Sequence, residues 1–335
     1  MLRRLDPPDL IYSRRQRPLR PSCGPVQILN TLAPVFLLIA IGSGLQAWKF
    51  VSPGFLKEAN RITYWLGLPA LLFSQLATSF QHGSGGGRML GVMLAATVLV
   101  VVAGYGVAWL LKVPGPAVGT FVQGGFRGNL AFVGLPVIFS LPDTPLFGGM
   151  TVRTAVVLTV APTMVAYNIG GVIVLLLSQH RLGWSMVKPF VKQLATTPPL
   201  LATLAGIAYA ALGWTLPSFA DKALTALGEM ALPLGLLGVG GSLVTVKLGA
   251  HWPRPLGSAL VKTVLSPLIG WGVGRACGLG GAELKMILIL LACPTAIISY
   301  TMAMELKGDE ALATGAIALS VLTSVVSLAL IVGLF

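Results

Sequence analysis

"GGFRGNLAFVGLP", residues 124–136, lies inside an apolar part of the chain, yet it carries four glycines, an Arg, an Asn and a Pro. A helix in hydrocarbon keeps its backbone hydrogen bonds internal, because each unpaired group there costs several kcal/mol. Glycine lets the backbone leave the helix, and Pro136 removes a donor. Such a stretch survives at membrane depth only where protein or a wet cavity covers it. It predicts an interrupted helix with Arg127, Gly128 and Asn129 at the interruption. A plain proline kink, or small residues placed for close helix packing, is the alternative.

The surrounding sequence sets the class. Of 335 residues, 55% are hydrophobic and 10% charged, and the mean hydropathy is +0.85. Soluble domains carry about 25% charged residues. The chain is therefore expected to be an all-α polytopic membrane protein. The net charge of +13 would suggest nucleic acid in a soluble protein. Here the basic residues lie mostly between apolar runs and near the start, so membrane lipid is the expected partner and nucleic acid is not. Cys23, Cys277 and Cys293 form no CxxC pair, and His82, His180 and His251 fall near expected loops. No metal-ligand spacing and no nucleophilic triad is visible, so no metal, no cofactor and no enzyme chemistry is expected. Residues 1–25 hold six Arg and five Pro and read as a disordered basic tail.

Ten apolar segments of about 20 residues or more, the length a spanning helix needs, cover 26–48, 59–79, 88–111, 116–141, 152–178, 194–212, 218–244, 257–277, 283–306 and 311–335. The longest loop, 179–193, divides them into 26–178 and 194–335. Pro69 in segment two and Pro233 in segment seven are 164 positions apart, and the same shift carries Asn129 onto Cys293, beside Pro294. Five spans per half is an odd number, so the second copy enters from the opposite side. The expectation is ten transmembrane helices in a 5+5 inverted repeat with crossed broken helices 4 and 9. For orientation, basic residues such as Lys49, Arg61, Lys112, Lys188, Arg254 and Lys262, taken as loop residues after odd-numbered helices, outnumber those after even-numbered ones. That places the odd group in the cytoplasm.

The ninth segment, "LACPTAIISYTMAMELKG", supplies a second interruption at Pro294, with Thr295 and Ser299 adding hydroxyls. Paired broken helices are the best sequence pointer to a midplane substrate site. Half-helix N-termini carry free N–H groups and partial positive charge, which suits a small carboxylate. Asn129 would add donors and an acceptor. Arg127 would contact the anion, support the interruption or reach toward an interface. Glu229 is a coupling candidate, or else a span-end residue. Gln75 and Asn168 are further cavity candidates, and Pro69 and Pro233 are hinge candidates or simple kinks.

"FRGNLAFVGLPV" together with "PTAIISYTMAMELKGDEALATGAIALSVLTSVVSL" resembles the auxin efflux carrier family, which includes plant auxin carriers and bacterial malate- or malonate-permease-like proteins. The likeness extends over 26–335. It implies a ten-helix inverted repeat, elevator-like transport of organic anions, and substrate contacts at Asn129, Pro136 and Pro294. The long central loop of many plant carriers is absent, which favours a small dicarboxylate over auxin. The expected function is a secondary transporter of small organic anions in a cell inner membrane, with a homodimer among the partners considered. The alternatives are a sodium- or proton-coupled transporter of the bile-acid-symporter type and a non-transporting membrane receptor.

Overall fold

A computed structural model describes residues 25–79, 85–143, 145, 151–179, 198–244 and 252–335. The basic tail, apart from Pro25, and the central loop, apart from Gln179, lie outside the described residues.

The described chain is helical and contains no named strand. Its α-helices are α1 Pro25–Ala47, α2 Pro53–Ile62, α3 Leu68–Ser79, α4 Gly85–Leu110, α5 Gly115–Phe126, α6 Leu135–Phe139 and α7 Val152–Ser178. After the central loop come α8 Pro198–Ala211, α9 Ser218–Val244, α10 Pro253–Leu260, α11 Ser266–Ala276, α12 Gly281–Ala292, α13 Ile298–Glu305 and α14 Glu310–Leu334.

Among the described residues, five stretches are long and apolar enough to cross a membrane: Gly87–Leu110, Val152–Ser178, Ser218–Gly241, Pro253–Ala276 and Glu310–Leu334. The count falls short of ten because several expected segments are shorter or interrupted. Segments four and nine split into α5 with α6 and α12 with α13. Segment eight also begins earlier than expected, at Pro253.

Three wide π-turns, Thr63–Gly67, Leu130–Gly134 and Val261–Leu265, join neighbouring helices. Each is followed by one residue and then a proline: Pro69, Pro136 and Pro267. The cause is local. A proline has no N–H to give the carbonyl four residues back, and its ring crowds that carbonyl. The ladder widens, and the N–H of the residue just before each proline bonds five residues back, as Leu135 does to Leu130. Pro233 lies inside the continuous α9 with no such turn.

The helices pack in two groups. Helix α1 lies along α9, and α3 lies between α8 and α9. Helices α4, α5 and α7 pack on one another, while α10 packs on α14, α11 on α12 and α4, and α14 on α5. Backbones approach closely between α1 and α9: a Cβ on Gly240 would stand 1.8 Å from the Ile39 carbonyl oxygen. Ser43 Oγ donates to the Gly240 carbonyl at 2.8 Å across the same contact.

The outside inverts the soluble pattern. Leu37, Val98, Val102, Leu322 and Val326 are exposed along helix faces, and Trp48, Trp109, Trp214 and Trp252 are exposed at or near helix ends. Apolar flanks with tryptophan near the ends suit a bilayer and its two interfaces.

Candidate functional site

Helix α5 stops at Phe126. Arg127 (φ −81°, ψ 95°) and Asn129 (φ −79°, ψ 70°) leave helical geometry, and the chain turns helical again at Leu130. Helix α12 stops at Ala292, Cys293 is extended (φ −55°, ψ 146°), and α13 begins at Ile298. The two interruptions meet. Gly128 and Thr295 face each other in an isolated antiparallel bridge. Asn129 N–H donates to the Pro294 carbonyl at 2.7 Å, and Ala296 N–H donates to the Arg127 carbonyl at 2.9 Å. Thr295 completes the junction: its N–H donates to Ser320 Oγ at 2.8 Å, and its Oγ1 donates to the Gly124 carbonyl at 2.8 Å. Each broken helix thus supplies partners for the other's freed backbone groups, the requirement for non-helical chain at membrane depth.

The glycines of the opening stretch have a second use. A Cβ on Gly124 would lie 2.4 Å from Ser258 Oγ, one on Gly125 2.7 Å from Val261 Cγ1, and one on Gly128 2.8 Å from Lys262 Cε. Helix α10 and its π-turn therefore press directly on the backbone of α5 and its interruption. Ser258 Oγ donates to the Phe121 carbonyl at 2.8 Å in this contact.

In front of the junction is a cavity of about 670 Å³. Small-molecule sites run from about 300 to 1,000 Å³. Glu58, Arg61, Tyr64 and Trp65 line one wall, residues 127–132 and Ala296, Ile297 and Ile298 another, and Met164, Tyr167 and Asn168 of α7 a third. The N-terminal ends of both second half-helices, at Leu130 and Ile298, border this space. Asn129 Oδ1 accepts the Phe132 N–H at 3.2 Å, capping the resumed helix. That cap uses an acceptor and leaves the amide's two donors uncommitted to it.

Arg127 is 3% exposed. Its guanidinium donates to Asn168 Oδ1 and to Met302 Sδ. Gln123 Nε2 also donates to Met302 Sδ, at 3.5 Å. Among the described residues, the buried Gln123 Oε1 and Ser299 Oγ have no hydrogen-bond partner. At the cavity edge, Arg61 pairs with Glu58 at 3.6 Å, and both side chains are exposed.

The residues expected from sequence divide as follows. Arg127, Gly128, Asn129 and Asn168 line the cavity. Pro294 and Thr295 build the junction behind it, Ser299 is buried in α13, and Pro136 is buried in the first turn of α6. Pro69 follows a π-turn in α3, away from the cavity lining. Glu229 is exposed on α9, so it is not a buried mid-span carboxylate. The Gln75 side chain lies outside the described residues.

Lys262 requires a correction. Taken as a loop charge for orientation, it is fully buried within the Pro253–Ala276 span. Its apolar surroundings were visible in "ALVKTVLS", and a lysine inside a span is itself a functional signal. Tyr64, Trp65, Tyr167 and Gln123 were also missed, because aromatic and amide residues in an apolar run look like ordinary filling.

Comparison with known proteins identifies relatives of the chain. The family model described as "Membrane transport protein" matches residues 27–332. An uncharacterized transporter of Methanocaldococcus jannaschii is 21% identical over 313 residues, covering 90% of this chain and 97% of that protein. An uncharacterized transporter of Methanothermobacter thermautotrophicus is 23% identical over 307 residues, covering 90% and 96%.

Proposed function

The chain belongs to the membrane transport protein family, to which the auxin efflux carriers belong, and from that premise we propose that it is a secondary transporter of small organic anions. Membership makes it a multi-pass membrane transporter. The substrate class, the site and the mechanism are our reading.

One observation carries the substrate class. Among the described residues, the charged side chains that are buried are Arg127 and Lys262, both cations, and both adjoin the junction of the interrupted helices. No buried carboxylate offsets them among those residues. A cavity lined by the buried Arg127, with no buried carboxylate beside it among the described residues, and bordered by two helix N-termini favours a negative ligand. Arg127 and the donors of Asn129 are proposed to hold a malate- or malonate-like carboxylate, with Gly128 allowing close approach to the backbone. Pro136, Pro294, Thr295 and Ser299 shape the junction.

For the architecture, we propose ten spans in a 5+5 inverted repeat, with segments four and nine as the crossed pair. The interruptions at 127–129 and 293–297 support this reading, since they recur within a few residues of the offset that relates Pro69 to Pro233. The α1, α2, α3, α8 and α9 group would act as a frame, shared in a homodimer of the inner membrane. The other group would carry the site across in an elevator-like step. Pro69 and Pro233 are proposed hinges. A sodium- or proton-coupled mechanism of the bile-acid-symporter kind has less support, since Glu229, its coupling candidate, is exposed.

Flux of labelled malate and malonate into proteoliposomes tests the proposal. Saturable uptake that unlabelled carboxylates inhibit, and that a neutral amide analogue does not, is the expected result. Equal flux of the neutral analogue would reject anion selectivity.

A further inference from the structure

Lys262 is fully buried, does not line the cavity, and has no part in the transport step proposed above. Its Nζ donates to the carbonyl of Leu291. That carbonyl lies in the last turn of α12, where a helix leaves its C=O groups without partners of its own. On its other side the lysine meets the first interruption: a Cβ on Gly128 would lie 2.8 Å from its Cε and 3.0 Å from its Nζ. One side chain from a third helix thus lies between the two breaks.

The electrostatics of that position are specific. Helices α5 and α12 both end at the junction, at Phe126 and Ala292. Each helix C-terminus is equivalent to roughly half a negative charge. Two such ends gather about one negative charge at the rear of the junction, while the cavity in front is lined by Arg127. A cation at the rear balances the two ends. In its absence, the Leu291 carbonyl and the negative ends of the two helices would be left facing a space that a small inorganic cation, which oxygen ligands bind, could enter.

We infer that Lys262 is a resident cation of the junction, occupying the place a bound sodium or potassium ion would otherwise take. Lys262 acts through the half-helices as a positioning residue and does not touch the substrate. The junction accordingly needs no inorganic cation to hold its shape, a claim independent of what the cavity binds. Its second consequence, that anion binding is indifferent to sodium, rests on the anion-transport reading.

The test uses the full-length protein in detergent, melted in sodium chloride, potassium chloride and choline chloride at equal ionic strength. Wild type is expected to melt at the same temperature in all three. Lys262→Ala removes the charge and opens space, so it should melt lower in choline and recover by more than about 2 °C in sodium or potassium, with saturation. Lys262→Met fills the space without charge and should not recover. A wild-type melting temperature that rises with sodium or potassium would overturn the inference. So would a folded Lys262→Ala protein no more cation-sensitive than wild type. Should Lys262→Ala fail to fold, Lys262→Gln takes its place in the same comparison and the wild-type arm still decides. Wild-type malonate affinity, measured in sodium and in choline, is expected to agree within about twofold, well under the tenfold that 1.4 kcal/mol represents. Absence of malonate and malate binding in every salt would reject the anion reading while leaving the melting result intact.

Discussion

Gly128 and Thr295 stand opposite each other where two interrupted helices meet, and the backbone bonds on either side of them tie residue 129 to 294 and residue 127 to 296. The bridge places the resumed helix of segment four, with Asn129 at its cap, at the wall of the cavity. Predictions about the site therefore separate effects on this junction from effects on a ligand.

Asn129 offers the cleanest separation. Asn129→Asp keeps a cap acceptor for the Phe132 N–H but replaces the amide donors with negative charge. It should melt within about 1 kcal/mol of wild type, the usual size of a cap effect, yet lose malonate uptake by more than about tenfold. Asn129→Ala should lose both the cap and the uptake. Wild-type transport of every accepted substrate by either variant would remove Asn129 from the site.

Arg127 reaches two partners with one planar fork, Asn168 and Met302. Lysine keeps the charge but cannot reproduce that geometry. Arg127→Lys is expected to raise the KM for malonate by about tenfold, equivalent to about 1.4 kcal/mol, with a smaller change in kcat. Arg127→Met, which leaves no buried cation facing the cavity, should abolish saturable uptake. An unchanged KM in Arg127→Lys would show that charge alone suffices.

Two glycines should differ in severity when changed to alanine. At Gly128 the obstacle is the end of the Lys262 side chain, at 2.8 Å, whereas at Gly240 it is the Ile39 backbone carbonyl, at 1.8 Å. A side chain can shift, but a helix backbone moves only with its neighbours. Gly128→Ala should cost about 1–3 kcal/mol, the range for overpacking, and Gly240→Ala should cost more, read as the drop in melting temperature. The reverse order would contradict the packing described for α1 and α9.

The proposed movement of the site predicts changing access at Ala296, which lines the cavity. In a chain with Cys23 and Cys277 replaced by serine, Ala296→Cys should react with a membrane-impermeant thiol reagent, and saturating malonate should slow that reaction. Cys293 is fully buried and should contribute little background. Labelling unaffected by any transported anion would count against the cavity as the substrate path.

Much of this protein was legible in its sequence because the relevant causes are local. A chain so apolar needs a bilayer, and glycine and proline weaken a helix close to where they fall. The interruptions near Asn129 and Pro294 followed from residues lying within a few positions of them, as did the π-turns ahead of Pro69, Pro136 and Pro267 once the backbone was seen. Other features arose only in three dimensions. The sequence held no sign that Thr295 would close on Gly128 and Gly124 or that Glu229 would be exposed, and although Lys262 stood in an apolar run, nothing in that run placed it against the junction. In a soluble helix the apolar stripe marks the buried face. In a membrane helix the side facing lipid and the side facing protein are both apolar, so the pattern carries no direction, and only the packing of distant segments decides which residues are enclosed.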